Sequence, residues 1–294
     1  MKLLLLDAGH CLSLGLARVA NTRTDLELQV LDAVRIDASD IRSHRADVVI
    51  VPPFVSPADS APADVTAHAE HVEAVLAACV ETDTPLVWCV ADQMFEQGGE
   101  GLLDEEEVPS PIDTALRRVI ATGDRIRAEL PSHLIVRLGP LFGPDGRDAW
   151  LPTLIESLLA GQEVRAAEDV ILCPTSVDAV AMALVGMLQQ QRCGAGSWGA
   201  YHLAGTEPVS SYAFISVVRT QLITRLEGIG EEVSPGPIKA LTLNSGTPLR
   251  RVLNCRRVLE TFGVHQKPWR LELSRLLDDW VAQRTPVTSP QEDV

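Results

Sequence analysis

The chain has 294 residues, 46% of them hydrophobic, and a formal net charge of −15, so it can bury a large core. This acidity argues against nucleic acid and anionic membrane surfaces as partners, because both are polyanionic. The length fits one large domain or two smaller ones.

Short apolar segments alternate with helix-like segments over residues 1–140. The predicted strands are Lys2–Leu6, Glu27–Asp32, Asp47–Val51, Leu86–Val90 and Leu134–Leu138. The predicted helices are Leu12–Ala20, Ser39–His44, Ala63–Glu81 and Pro111–Glu129. The alternation predicts a parallel sheet with right-handed crossovers and helices on both faces. The acidic, glycine-rich stretch 97–110 is predicted to be a surface loop.

The pattern changes after residue 137, where the Gly- and Pro-rich segment 138–150 is predicted to be a loop. The further predicted elements are a helix over Leu151–Ala160, a short strand and then a helix capped near Ser176, a strand over Trp198–Ala204, and helices over Val209–Leu226, Arg256–Phe262 and Leu271–Arg284. Residues 228–250 are predicted to be irregular, and the tail from residue 285 to be frayed.

The first strand leads into the turn D-A-G-H-C-L-S-L-G over residues 7–15 and then into a helix. Strand, turn and helix in this order are typical of a nucleotide-binding unit. Its turn usually carries three glycines, one of which lets the backbone approach the pyrophosphate. Only Gly9 and Gly15 are present here. The frame of a dinucleotide site is retained, while most of its glycines are replaced.

The cysteines and the N-terminus indicate a cellular setting. The six cysteines are scattered without a C-x-x-C pair, which predicts buried free thiols in a reducing cytoplasm. The leucine run at 3–6 ends at Asp7, which is too short for the apolar region of a signal peptide. No stretch is long enough to be predicted as a membrane span.

Seven strings of the sequence resemble, in order, those of the extended short-chain dehydrogenase/reductases. They are RIDASD with RADVVIV, VPPFVSPADSAP, LVWCVADQMFEQG, IVRLGPLFGPDG, ILCPTSVDAVAMAL, AYHLAGTEPVSSYAF and TPLRRVLNCRRVLETFGV. Together they cover about residues 1–280 and resemble the dTDP-4-dehydrorhamnose reductase branch. The regulatory subunit of methionine adenosyltransferase belongs to the same branch.

The resemblance implies an α/β fold: a Rossmann-type, doubly wound parallel sheet with a smaller C-terminal α/β substrate-binding lobe. The expected dinucleotide-binding-type domain spans 1–143 and also receives parts of 170–205. The substrate-binding-type lobe is expected over 144–284, and residues 285–294 are expected to form a flexible tail.

The family's reduction uses a Tyr as acid, a Lys four residues later and a Ser or Thr. The only tyrosines here are Tyr201 and Tyr212, and no lysine lies between residues 3 and 238, so the Tyr-x-x-x-Lys motif is absent. The expected positions hold Ala91 for the Ser or Thr, Ala115 or Leu116 for the Tyr, and Val119 or Ile120 for the Lys. No catalytic residue is therefore predicted at these positions. General acid catalysis typically contributes about 10²–10⁴-fold.

At the phosphate turn, Asp7, His10 and Ser13 replace the family's glycines. His10 adds bulk, and the Asp7 carboxylate is expected to repel phosphate or to take its place at the helix N-terminus. We therefore predict either no cofactor or weakly bound NADP. The resemblance implies these cofactor-side residues: Gly9, His10, Asp32, Pro53, Val90 and Arg137.

On the substrate side, the two neighbouring arginines at 250 and 251 offer bidentate phosphate contacts. No spacing of His, Cys and Asp suggests a metal site. The resemblance implies these substrate-side residues: Asp92, Phe142, Pro174, Thr175, Arg250 and Asn254.

The favoured hypothesis is a catalytically degenerate member of the family that acts as a cytoplasmic binding, regulatory or scaffold subunit. Its expected partner is a protein or a second copy, with a nucleotide-sugar-like ligand possible in the cleft. The alternative is an active NADP-dependent reductase or epimerase of a nucleotide-linked sugar. Its relocated catalytic residues would come from Asp92, Cys89, His71 and Asp113. A third hypothesis is a sensor that holds a nucleotide without chemistry.

Overall fold

The computed structural model describes residues 1–32, 36–54, 62–244 and 246–284. The strands are β1 (Lys2–Leu6), β2 (Glu27–Leu31), β3 (Val48–Val51), β4 (Leu86–Ala91), β5 (His133–Leu138), β6 (Leu141–Phe142), β7 (Val164–Ala167), β8 (Val170–Leu172), β9 (Thr175–Ser176), β10 (Gly199–Leu203), β11 (Val209–Ser210), β12 (Ile238–Leu241) and β13 (Leu249–Arg251). The α-helices are α1 (Cys11–Asn21), α2 (Ala38–His44), α3 (Pro62–Thr82), α4 (Thr114–Glu129), α5 (Trp150–Leu159), α6 (Val177–Arg192), α7 (Ser211–Gly228), α8 (Arg256–Phe262) and α9 (Trp269–Arg284).

The central sheet has the strand order β10-β5-β4-β3-β1-β2, and all of its pairings are parallel. Strands β3 and β5 are buried along their whole length, as expected where helices cover both faces of a sheet. From β1 the chain adds β2 on one side of the sheet, and then adds β3, β4 and β5 in turn on the other side. The strand order therefore reverses between β1 and β3, where ligands bind in such folds. The predicted Rossmann-type fold is confirmed.

Two helix pairs cover this sheet: α1 packs against α6, and α3 packs against α4. A second core lies among helices α5, α7 and α9. Its large side chains are Phe142, Leu151, Phe214, Trp269 and Leu273. Strand β10 comes from the second half of the chain and pairs with β5, so the chain returns to the first sheet after leaving it.

Three loop predictions need correction. Segment 228–250 is not irregular throughout, because it contains β12, which pairs with β7, and the start of β13, which pairs with β8. These strands are short, and their partners lie about 70–80 residues away, so no local pattern marks them. Segment 138–150 contains the two-residue strand β6. The loop 97–110 is not purely a surface loop, since Leu103 and Glu105 are buried.

Capping residues explain where two helices begin. Asp113 accepts the backbone N–H of Ala115 at 2.6 Å, so α4 begins at Thr114 rather than at Pro111 as predicted. The predicted cap of α6 at Ser176 is confirmed.

Five of the six cysteines are buried free thiols, as predicted, but Cys193 is exposed. The predicted tail 285–294 and residues 55–61 of the VPPFVSPADSAP string lie outside the described residues.

Two glycines on the packed pair α1 and α6 should respond oppositely to replacement by alanine. A Cβ at Gly15 meets the Val177 side chain at 2.5 Å, so Gly15→Ala is expected to lower the free energy of unfolding by about 1–2 kcal/mol. A Cβ at Gly186 meets nothing within 4 Å, so Gly186→Ala should raise it by about 0.5–1 kcal/mol through helix propensity. Urea unfolding measures both. Equal effects of the two variants would contradict the close approach of the helices at Gly15.

Within the described ranges, no helix combines the length and the apolar character needed to cross a bilayer.

Candidate functional site

The turn after β1 carries Asp7, whose backbone is left-handed at φ +62°. Its carboxylate pairs with Arg147 Nη2 at 2.6 Å, near the surface. Of the two alternatives predicted for Asp7, taking the place of phosphate at the N-terminus of α1 is therefore wrong, and repulsion of phosphate stays a prediction. The place at the N-terminus of α1 belongs to another carboxylate, 141 positions further along the chain.

The carboxylate of Asp148 lies at the N-terminus of α1. Its Oδ1 accepts the backbone N–H of Cys11 at 2.7 Å, and its Oδ2 accepts the Cys11 thiol at 3.0 Å. His10 Nε2 lies 3.2 Å from the same Oδ2. The N–H and the thiol of Cys11 thus both donate to one side chain, which occupies the place where the helix dipole favours an anion.

Asp148 belongs to residues 144–149, here called the covering loop. Arg147 donates its backbone N–H to the Gly9 carbonyl at 2.7 Å. Gly146 has φ +122°, and a Cβ there would lie 2.6 Å from Cys11 Cα. Only glycine permits this approach, so the covering loop rests directly on the phosphate turn.

The hydrogen bonds around His10 assign its tautomer. Nδ1 accepts the N–H of Leu12 at 3.0 Å and caps α1, so the ring proton of the neutral imidazole lies on Nε2. Burial lowers the pKa of His10, although Asp148 and Asp7 act in the opposite direction. Burial and Asp148 raise the pKa of the Cys11 thiol, which therefore stays protonated and donates a hydrogen bond to Asp148.

His10, Cys11 and Asp148 also form a group whose possible ligand atoms lie within 4.8 Å of one another. The protonated thiol of Cys11 argues against a cation at this group, because it donates a hydrogen bond to the carboxylate. The positive end of α1 also disfavours a cation. The arrangement is that of an anion site filled by a side chain of the protein itself.

The expected catalytic positions surround a small, mainly apolar cavity of about 30 Å³ at the end of β4. Ala91, Leu116 and Val119 line it together with His68 and Cys89. Burial lowers the pKa of His68 to about 4 and raises the pKa of Cys89 to about 12, so both groups are neutral at pH 7. Ala115 is buried and Ile120 is half-buried.

A second polar group lies at the carboxyl end of β4. Asp92 is 2% exposed, and its Oδ1 lies 3.9 Å from Arg251 Nη1 on β13. Burial raises the pKa of Asp92 to about 6, against the opposing effect of Arg251. Within the described residues, Asp92 Oδ2 and the buried Nε atoms of Arg250 and Arg251 have no hydrogen-bond partner.

Other residues predicted for the substrate side have contacts within the fold. Phe142 packs on Phe214 in the second core. The Thr175 hydroxyl donates to the Cys173 carbonyl at 2.8 Å and accepts the Gly205 N–H, which fixes the turn that contains buried Pro174. Asn254 donates to Asp104 and accepts the N–H of Arg256 at the start of α8.

The predicted cofactor residues do not all lie together. The Pro53 backbone acts to raise the pKa of His10, so Pro53 lies beside the phosphate turn, to which Gly9 belongs. Asp32 is exposed after β2, and Val90 is buried in β4. Arg137 pairs in register with Val90 and lies under α4, in a separate cavity.

Sequence reasoning missed Asp148 and Arg147, and it named Arg251 as a phosphate contact but not as the neighbour of Asp92. No local signal marks Asp148 as a partner of Cys11, because 137 positions separate them and the loop carries no motif. Arg251 adjoins the predicted Arg250, but only the path of β13 brings it to Asp92.

Comparison with known proteins supports the resemblance. The family model described as RmlD substrate binding domain matches residues 9–282. A dTDP-4-dehydrorhamnose reductase from Clostridium acetobutylicum is 19% identical with a TM-score of 0.74, over 96% of this chain and 100% of that chain. A dTDP-4-dehydrorhamnose reductase from Bacillus anthracis, solved in complex with NADP, is 17% identical with a TM-score of 0.77, over 95% and 99% of the two chains.

A UDP-glucose 4-epimerase from Thermotoga maritima, solved with UDP-glucose, is 12% identical with a TM-score of 0.71, over 97% of this chain and 100% of that chain. At such identities these structures show a common fold. Comparison with curated proteins gives no match. The structural neighbours of this chain include dTDP-4-dehydrorhamnose reductases. Because the family model spans most of the sequence, the chain belongs to the RmlD substrate binding domain family.

Proposed function

We propose that this protein is a catalytically degenerate relative of dTDP-4-dehydrorhamnose reductase that acts as a binding, regulatory or scaffold subunit. The observation that carries the proposal is the Asp148 carboxylate at the N-terminus of α1, held by the Cys11 N–H at 2.7 Å. In the usual binding mode, that N-terminus faces the pyrophosphate of a dinucleotide.

The residues at the turn do not fit a pyrophosphate in its usual place. The hydrogens that would meet it are already directed at Asp148, and His10 is buried beside them. Two like charges about 4 Å apart repel by roughly 4 kcal/mol at an effective dielectric constant of about 20. A dinucleotide would therefore have to displace the covering loop before it could bind there.

The expected catalytic positions support the same proposal. Ala91, Leu116 and Val119 can neither donate a proton nor lower the pKa of a donor. An acid of the family's kind contributes about 10²–10⁴-fold to the rate, so its loss alone would leave little reductase activity. No hydride-transfer step follows from the residues present.

The retained polar groups at the end of β4 suit a ligand with hydroxyl and phosphate groups. Arg250 and Arg251 supply guanidinium groups, and Asp92 supplies an acceptor for a sugar hydroxyl. A nucleotide-sugar-like ligand is therefore the proposed small-molecule partner. A protein or a second copy is the proposed macromolecular partner, and the proposed location is the cytoplasm.

Titration with NADPH tests the loss of cofactor binding. We expect no saturable heat in isothermal titration calorimetry at NADPH concentrations up to about 1 mM, because Asp148 occupies the pyrophosphate position. A Kd above 1 mM corresponds to less than roughly 4 kcal/mol of binding free energy. We also expect no fall in NADPH fluorescence when dTDP-4-dehydrorhamnose is added. Micromolar binding with substrate-dependent oxidation would contradict the proposal, and binding without oxidation would favour the nucleotide sensor.

The second candidate is an active NADP-dependent reductase or epimerase of a nucleotide-linked sugar. Asp92 favours it, because a buried carboxyl whose pKa is about 6 can exchange a proton near neutral pH. If this candidate is correct, the wild type turns over and Asp92→Asn removes the activity while leaving the far-UV circular dichroism spectrum unchanged. Absence of turnover in the wild type eliminates it.

A further inference from the structure

A larger cavity lies under α4, away from the phosphate turn. Its volume is about 360 Å³, within the range of roughly 300–1,000 Å³ typical of small-molecule pockets. Its inner wall is formed by apolar parts of Trp88, Val90, Ile135 and Val119, and its mouth by residues 105–109. The family-derived site residues at the turn and on β13 do not line it.

The guanidinium of Arg137 lies in this cavity and is only 2% exposed. Its Nη1 lies within 3.2 Å of the Glu105 carbonyl and of His202 Nε2, both of which are neutral acceptors. Burial is the main cause that lowers the pKa of His202 to about 3, and the positive charge of Arg137 is the second, so the imidazole carries no charge. Among the described residues, no carboxylate forms a salt bridge with Arg137, and its Nε has no hydrogen-bond partner.

A second donor in the same wall has no acceptor. Trp88 is 2% exposed, and its indole Nε1 has no hydrogen-bond partner among the described residues. An unpaired buried donor costs about 1–3 kcal/mol, and most such groups are paired with protein, water or a ligand. Two residues that line the cavity, Arg137 and Trp88, therefore each carry one buried N–H group without an acceptor.

The other charges around the mouth are largely paired. Arg127 donates to Asp124 at 2.7 Å, and Arg257 donates to Glu106 and lies 3.8 Å from Glu105. Arg257 is shared by two carboxylates and Glu107 also lines the cavity, so the mouth carries excess negative charge, while Arg137 places a positive charge beside the inner wall. A single negative charge on a flat, apolar group matches this combination, because carboxylates bind guanidinium in a bidentate geometry.

We propose that the cavity under α4 is a binding site for a planar aromatic monocarboxylate. The carboxylate accepts from Arg137, and the ring lies against Trp88 and Ile135. The site is separate from the proposed nucleotide-sugar cleft, so it does not depend on the proposed function.

Isothermal titration calorimetry with naphthalene-2-carboxylate tests this site on the full chain. We expect a Kd below about 1 mM, and binding at least about tenfold weaker for the neutral naphthalene-2-carboxamide. Inorganic phosphate should not displace the bound carboxylate. Failure of the carboxylate to bind, equal binding of acid and amide, or displacement of the carboxylate by phosphate would each overturn the proposal.

A cavity-filling variant locates the binding. Gly123 lines the cavity, and a Cβ there has its nearest neighbour at 3.5 Å, on the Trp88 ring. Gly123→Leu should therefore fold, since leucine is also a good helix former. Its side chain should fill part of the cavity and reduce binding of the carboxylate at least about tenfold. Gly186→Leu is the matched control on α6, where a Cβ has nothing within 4 Å, and it should bind as the wild type does. Unchanged binding by Gly123→Leu would overturn the proposal.

Discussion

Replacing Asp148 by alanine is expected to lower the free energy of unfolding by about 2–4 kcal/mol and to create an anion site. The change leaves the N–H and the thiol of Cys11 without their acceptor and removes the carboxylate that lies 3.2 Å from His10 Nε2. Each unpaired buried donor costs about 1–3 kcal/mol, and partial relaxation reduces the sum. Urea unfolding measures the loss of stability.

The same variant should gain stability from pyrophosphate. An anion at 100 times its Kd adds about 2.7 kcal/mol of stability, which raises the melting temperature by several degrees. We expect this rise for Asp148→Ala and a much smaller rise for the wild type, whose own carboxylate fills the site. Differential scanning fluorimetry with pyrophosphate, compared at equal ionic strength, provides the measurement.

Asp145→Ala is the matched control for Asp148→Ala. Asp145 lies in the same covering loop, but its carboxylate pairs with Arg18 at the surface. Surface pairs contribute about 0–1 kcal/mol, so this variant should be nearly as stable as the wild type and should not respond to pyrophosphate. If both variants behaved alike, Asp148 would not be the anion that fills the turn.

Asp92→Asn is expected to change how stability depends on pH. Burial raises the pKa of Asp92 to about 6 in the folded state, above its ordinary value of 3.8. Between these two values the folded state binds more protons than the unfolded state, so the contribution of Asp92 to stability falls as pH rises. A difference of about two pKa units corresponds to roughly 2–3 kcal/mol.

The measurement is urea unfolding of the wild type and Asp92→Asn from pH 4 to pH 7. The variant should gain about 2–3 kcal/mol relative to the wild type over this interval, because it has no carboxyl to ionise. Asp92→Ala is the control: it should show the same relative slope but lower stability throughout, since it also leaves a cavity. Parallel curves for wild type and Asp92→Asn would mean that Asp92 ionises as freely in the folded protein as in the unfolded chain.

The strand and helix alternation over residues 1–140 predicted the parallel sheet, because each strand is a compact apolar run such as Val48–Val51. The weaker elements were missed for a physical reason. Strands β12 and β13 are held by pairing with β7 and β8 rather than by a pattern of their own. Short edge strands of this kind depend on contacts that a local reading cannot contain.

The candidate site divides in the same way. The absence of Tyr-x-x-x-Lys follows from the positions of the tyrosines and lysines, so it holds for any fold. Asp7 was predicted either to repel phosphate or to take its place, and the structure places a different carboxylate at the N-terminus of α1. Asp7 turns to Arg147, while Asp148 reaches Cys11.

By itself, the sequence determined the α/β fold, the family and the absence of a Tyr-x-x-x-Lys motif, because these depend on local apolar runs and on residue types. Only the tertiary structure decided that Asp148 fills the turn, that Arg251 lies beside Asp92, and that Arg137 lines a cavity and forms no salt bridge with the described residues. Each of these depends on side chains far apart in the chain. Their distances are set by how the covering loop, β13 and α4 pack on the sheet.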